Sequence, residues 1–195
     1  YNFELIGFYN TYKDFITRID CREDKSDICP NPKDSEYDIT YSNDNVGNTR
    51  IWGVEFINKF KFTPDKNGFS LKASAGYTYG QDTINNEPLN GIDPLKIVSG
   101  IEFVSSDNKF VTELISTYGG EMRRKKDYSG FRPKPFITFD LLSSYKYSDS
   151  LDLSCGIYNL FNETYYYSNN ISSGQSITGI EQFAEPGRHF RVGFK

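Results

Sequence analysis

Apolar residues recur at every second position through much of the chain. In RIWGVEFINKFKF (residues 50–62), Trp52, Val54, Phe56, Phe60 and Phe62 alternate with Gly53, Glu55, Lys59 and Lys61. In GFSLKASAGYTYG (68–80), Phe69, Leu71, Ala73, Ala75, Tyr77 and Tyr79 oppose Ser70, Lys72, Ser74, Gly76, Thr78 and Gly80. Side chains of a strand point alternately to its two faces, so each segment has one apolar face and one polar face. The spacing predicts eight strands, near 2–16, 47–63, 68–81, 95–105, 109–121, 135–148, 150–161 and 187–195. PDKNG (64–68), SSDNK (105–109) and SDSLD (148–152) have the Asp, Asn, Ser and Gly content of tight hairpin turns. Long connections at 20–46, 82–94, 122–135 and 162–187 alternate with them. Short turns at one end and long loops at the other describe an antiparallel up-and-down meander.

That asymmetry, with strands of about ten residues, is the signature of a transmembrane β-barrel of the outer-membrane type. Lipid offers the backbone no hydrogen bonds, so such a sheet must close on itself. Composition sharpens the choice. The chain has 15 Tyr, 16 Phe and one Trp, yet a mean hydropathy of only −0.59, as expected if aromatics face lipid and the other half of each strand faces a wet lumen. A soluble β-sandwich is the competing fold. Its inward face would be aliphatic, and Trp52, Phe56, Phe60, Tyr77 and Tyr79 would pack against a second sheet. No apolar run reaches the 18 or more residues of a membrane helix. The start, YNFELIGFYN, lacks the pattern of a signal peptide and reads as already inside a strand.

The net charge of −4 argues against a nucleic-acid partner, but it averages over separate surfaces. Residues 20–45 hold eight acids and three bases, and 121–135 hold six bases and two acids, including Arg123, Arg124, Lys125 and Lys126. Cys21 and Cys29 enclose seven residues in CREDKSDIC. A disulfide there would contribute roughly 2–3 kcal/mol by loop closure in an oxidising compartment; half of a zinc site is the alternative, without nearby Cys or His to complete it. Cys155 alternates with Leu153 and Ile157 as a small strand residue. Asp140 and Glu113 fall on polar faces with no histidine near them in sequence, and no glycine-rich phosphate loop opens a helix, so no enzymatic activity is expected.

The last sixty residues narrow the class. FITFDLLSSYKYSDSLDLSCGIYNLFNETYY, followed by FAEPGRHFRVGFK, resembles the C-terminal end of TonB-dependent outer-membrane receptors. Asn159, Leu160, Asn162 and Tyr165 fill that family's N-L-x-N/D-x-x-Y box, and Pro186, Gly187, Arg188, Phe190 and Phe194 its P-G-R strand. NVGNTRIWGVEF and NGIDPLKIVSGIEF resemble further family segments, and the wording near both boxes is most similar to receptors for haem, haemoglobin, transferrin or lactoferrin.

The resemblance implies that residues 1–195 are the C-terminal segment of a 22-stranded barrel in a Gram-negative outer membrane, without a plug domain. The remaining strands, the plug and the contact with TonB would be supplied from elsewhere, and both ends read as cut. It further implies TonB-dependent uptake of haem or ferric iron, with the long loops as binding surface and a host iron or haem protein as a partner. Arg123, Arg124, Lys125 and Lys126 are candidate ligands for haem propionates, a siderophore, an acidic protein or lipopolysaccharide phosphate. The acidic 20–45 loop is a candidate for a basic patch on a protein ligand. Tyr165, Tyr166 and Tyr167 are expected either as an anchor at the headgroup boundary or as a ligand platform. His189, the single histidine, is expected on the lumen face and is a weak candidate haem ligand; no metal is expected. The competing function is a self-contained eight-stranded barrel acting as adhesin or anchor, which would pair residues 2–16 with 187–195.

Overall fold

A computed structural model describes residues 2–20, 41–45, 47–63, 67–89, 91–123, 131–171 and 178–195. The strands are β1 (Asn2–Tyr12), β2 (Ile16–Asp20), β3 (Tyr41–Asn45), β4 (Thr49–Lys61), β5 (Gly68–Asp82), β6 (Glu87–Pro88), β7 (Lys96–Val104), β8 (Phe110–Gly119), β9 (Phe136–Ser148), β10 (Leu151–Tyr158) and β11 (His189–Phe194). One antiparallel sheet runs in the order β1-β4-β5-β7-β8-β9-β10-β11, with β6 appended to β5. Its eight principal strands correspond to the eight segments expected from alternation.

Register turns that alternation into two continuous surfaces. Phe60 pairs with Leu71, Leu71 with Ile101, Ile101 with Leu114, Leu114 with Leu141, Leu141 with Ile157 and Ile157 with Phe190. This apolar row crosses seven strands, yet Ile101 is 49% exposed and Leu114 40% exposed. No second sheet covers them among the described residues, which removes the sandwich fold. On the other face, Glu55 pairs with Gly76, Gly76 with Lys96, Lys96 with Gly119 and Gly119 with Phe136.

Among the described residues, β1 pairs only with β4 and β11 only with β10. The pairing of 2–16 with 187–195 required of a small closed barrel is therefore not made. The short turn between β7 and β8 is built as expected. At Ser105–Phe110, Asn108 takes a positive φ of 57°, and the Asp107 carboxylate accepts from the Ser105 hydroxyl and the Lys109 amide. Those donors hold the Asp107 carboxyl below its ordinary range.

Two departures occur at the long-loop end. The first strand stops at Tyr12, because Asp14 adopts a φ of 55°. The chain then re-enters extended structure as β2, paired with β3 in a separate two-stranded ribbon. Cys21 and Cys29 lie outside the described residues, as does most of the acidic loop.

Candidate functional site

The two sequence boxes near the C-terminus meet in space. After β10, Asn159 and Asn162 take positive φ of 51° and 58°, a region that asparagine tolerates better than most residues. The buried Asn159 carboxamide accepts from the Glu163 amide at 2.8 Å and donates to the Glu163 carbonyl at 2.7 Å and the Pro186 carbonyl at 3.3 Å. Its own amide donates to Asp140 Oδ1 at 2.7 Å. The Asn162 side chain accepts from the Arg188 amide, and a Cβ on Gly187 would stand 2.8 Å from Asn162 Oδ1. The Arg188 guanidinium returns to the Leu160 carbonyl. The asparagines and the Pro-Gly-Arg turn thus clasp β10 to the approach of β11, and each residue type follows from a backbone conformation or an otherwise unmade hydrogen bond.

The clasp re-aims the chain over the polar face. Tyr165 packs on Phe136 with ring centroids 4.4 Å apart, and Tyr167 meets both Phe136 and Tyr165 edge-on. Phe136 lies over Gly119, where a Cβ would come within 2.4 Å of the ring; only glycine leaves room for this stack. The Lys96 ammonium stands 5.4 Å from the Tyr167 ring centre. Burial pushes the Tyr165 phenol up to about 12, assisted by negative charge on Tyr167, Glu185 and Asp140, and raises that of Tyr167 as well. Tyr165 and Tyr167, expected either as a headgroup anchor or as a ligand platform, sit on the polar side of the sheet, because Phe136 belongs to the Glu55 to Phe136 row. Tyr166 points away from them, against Phe131.

A cavity of ≈460 Å³ opens beside this stack, with Gly76, Gly119 and Phe136 in its floor and Tyr167, Lys96 and Asn170 around it. Asn169 bonds to Asp93 and Asn170 to Glu185, tying the roof to two other segments. The lining carries the Lys96 ammonium together with the Glu55 and Asp93 carboxylates, and its aromatic faces and glycine floor suit a flat, partly apolar ligand. Sequence reasoning selected the tyrosines but missed Lys96, Phe136 and the glycine floor, whose signal is the register of four strands.

The other candidates are dispersed. His189 lies on the polar face as expected, stacked on Tyr158 at 4.9 Å, with Nδ1 2.9 Å from the Gly187 carbonyl. Arg191 lies over the same Tyr158 ring. Toward the short turns, Lys72 bridges Glu102 at 2.6 Å and Glu113 at 3.0 Å, two carboxylates that face each other across β7 and β8. Arg123 is not brought near the tyrosines. Its guanidinium lies 4.0 Å from the Tyr79 ring centre, and Tyr79 belongs to the apolar face with its partner Trp52. Arg124, Lys125 and Lys126 lie outside the described residues.

An antiparallel meander with an uncovered apolar face, a charged opposite face and unequal loops is the wall of a transmembrane β-barrel. Residues 1–160 match the family described as TonB dependent receptor-like, beta-barrel, and the chain belongs to that family. Its apolar face therefore meets outer-membrane lipid, its polar face the lumen, and its long loops the outside of a Gram-negative cell. The chain is 29% identical over 180 residues to hemoglobin and hemoglobin-haptoglobin-binding protein A of Haemophilus influenzae, covering 78% of this chain and 16% of the relative. It is 30% identical over 181 residues to hemoglobin-haptoglobin-binding protein A of the same species, covering 78% and 17%. The chain thus spans about a sixth of the length of these relatives. The solved structure of the copper transporter OprC superposes with a TM-score of 0.76 at 21% identity, over 97% of this chain and 28% of that one, a likeness of fold.

Proposed function

We propose that residues 1–195 form the C-terminal part of the wall of a TonB-dependent receptor that takes up iron as haem, or from a host iron-carrying protein, with haemoglobin the leading source. The remaining strands and the plug belong to other parts of the receptor, which also carry the contact with the TonB complex. The observation that carries this reading is the lumen cavity at the extracellular mouth. Tyr167 and Phe136 offer flat apolar faces, and Lys96 offers a cation 5.4 Å from the Tyr167 ring centre. The names of the two Haemophilus relatives supply the haemoglobin. The role is binding and passage, not catalysis.

The test places the receptor carrying this segment in a TonB-competent strain that cannot make haem. Growth on haemoglobin as the haem source is expected for the parent. Lys96→Ala with Tyr167→Ala is expected to weaken haemoglobin or haem binding by about tenfold, roughly 1.4 kcal/mol. Unchanged binding would remove the cavity from the site. A parent receptor that binds ferric siderophore but neither haem nor haemoglobin would overturn the ligand.

A further inference from the structure

Haem would occupy one half of the lumen cavity, where Phe136, Tyr167 and Lys96 stand. The other half lies over β4 and β5. There Glu55, Gly76 and Lys96 form one register row on the lumen face, and all three line the cavity. A Cβ added at Gly76 would meet nothing within 4 Å, so the floor between the two charged side chains is open. Carboxylate and ammonium rise from strands two apart, with ~9.6 Å between their Cα atoms at ~4.8 Å per strand.

The two charges do not neutralise each other. The Lys96 ammonium stands over the ring of Tyr167, which packs on Phe136 at the end of the row away from Glu55. Among the described residues the Glu55 carboxylate has no ion-pair partner. Asp93, the other acid of the lining, is engaged by the Asn169 side chain. Glu4 shares the lumen face of β1 with Ile6, the register partner of Glu55, and adds to the negative end. The cavity therefore has an acidic end, an open middle and a basic, aromatic end. A field of that shape complements a ligand that carries a cation and an anion at its two ends, which haem, with anionic groups only, does not. An extended chain spans ~3.3–3.6 Å per residue, so a tripeptide holds its terminal ammonium and carboxylate ~10 Å apart.

We infer that this cavity binds a short zwitterionic peptide, about three residues long and ending in an aromatic residue. Glu55 takes the terminal ammonium, the open floor at Gly76 takes the backbone, and Lys96 takes the carboxylate. The terminal ring lies against Tyr167 and Phe136, whose faces are the apolar part of the lining. The inference rests on the lumen placement of the cavity and is independent of haem as cargo.

The intact receptor carrying this segment, checked for folding by its heat-modifiable gel mobility, is titrated with the tripeptide Gly-Gly-Phe by isothermal calorimetry. Saturable binding is expected. Acetylating the amine, amidating the carboxylate, or replacing the phenylalanine by alanine is each expected to weaken it at least tenfold. In Glu55→Gln the free and acetylated peptides are expected to bind alike, because the group that reads the ammonium is gone. Gly76→Leu, which fills the open floor, is expected to abolish binding. No saturable binding of Gly-Gly-Phe by the parent, an acetylation penalty as large in Glu55→Gln as in the parent, or unchanged binding in Gly76→Leu would each overturn the site. A haem titration of the same parent, followed by absorbance, separates the two ligands. Haem without peptide removes this inference alone, and peptide without haem removes haem as cargo alone. Should Glu55→Gln fail to fold, the modified peptides on the parent decide it.

Discussion

Asn159 holds Glu163 by both ends of its carboxamide, accepting from the Glu163 amide and donating to the Glu163 carbonyl, while the same nitrogen reaches the Pro186 carbonyl. One buried side chain thereby closes the turn after β10 and joins it to the approach of β11. Asn159→Ala removes all three bonds and forces alanine into a φ of 51°. A loss of about 2–4 kcal/mol is expected from unmet buried backbone groups and the left-handed conformation. Asn159→Asp keeps the acceptor and loses the donors, and should fall between. Limited proteolysis within 162–187 reads the outcome; an alanine variant cut no faster than the parent would contradict the clasp.

The tyrosine stack makes a spectroscopic prediction. Burial first, and neighbouring negative charge second, raise the Tyr165 phenol to about 12. The folded cluster holds this proton more tightly than an unfolded chain, whose tyrosines ionise near pH ~10. Its stabilising share is complete below that pH and is lost as pH rises toward 12. Phenolate absorbance should show a late-titrating component that Tyr165→Phe removes. In Phe136→Ala, that component should move back toward 10. A parent spectrum lacking the late component would place Tyr165 in solvent.

The strands were legible because each had to satisfy two solvents at once, and alternation is the direct record of that. The β2 and β3 ribbon was not. ITRID and YSNDN have no apolar face to mark them; they form a separate ribbon beyond the end of β1. The Asn159 to Tyr165 box was visible as wording, but its effect on direction was not. Two left-handed asparagines turn the chain inward, carrying Tyr165 and Tyr167 to the lumen face. Arg123 was legible as charge only, since a loop has no period from which to read its face. Register, by contrast, brings Gly76, Lys96, Gly119 and Phe136 from four strands into one row, a relationship that no single segment contains.

Lys72 separates two carboxylates that would otherwise face each other. Glu102 and Glu113 are register partners, and both reach the Lys72 ammonium, with Ser70 also donating to Glu102. Lys72→Met leaves the acids opposed on a partly shielded wall. A cost of about 1–3 kcal/mol is expected, between the values for exposed and buried pairs. Adding Glu113→Gln removes the repulsion and should recover part of the loss, a sign of coupling that a double-mutant cycle isolates. Thermal unfolding followed by gel mobility measures it; purely additive losses would mean the three side chains act separately.

The assignment of faces is tested by placing one charge at either of two sites. Leu114 lies in the apolar row between Ile101 and Leu141, while Thr117 lies on the lumen face between Val98 and Thr138. A charged side chain on a lipid face costs about 2–4 kcal/mol near the bilayer midplane and little near the lumen water. Leu114→Arg is therefore expected to impair assembly into the outer membrane, or to lower the unfolding free energy by that amount in lipid vesicles. Thr117→Arg adds the same charge on the same strand and is expected to change stability by less than about 1 kcal/mol. Because the two positions lie on one strand and differ in face, any effect of expression level or net charge cancels between them. Equal effects, or the reverse order, would mean that the lipid-facing surface has been assigned to the wrong side of the sheet.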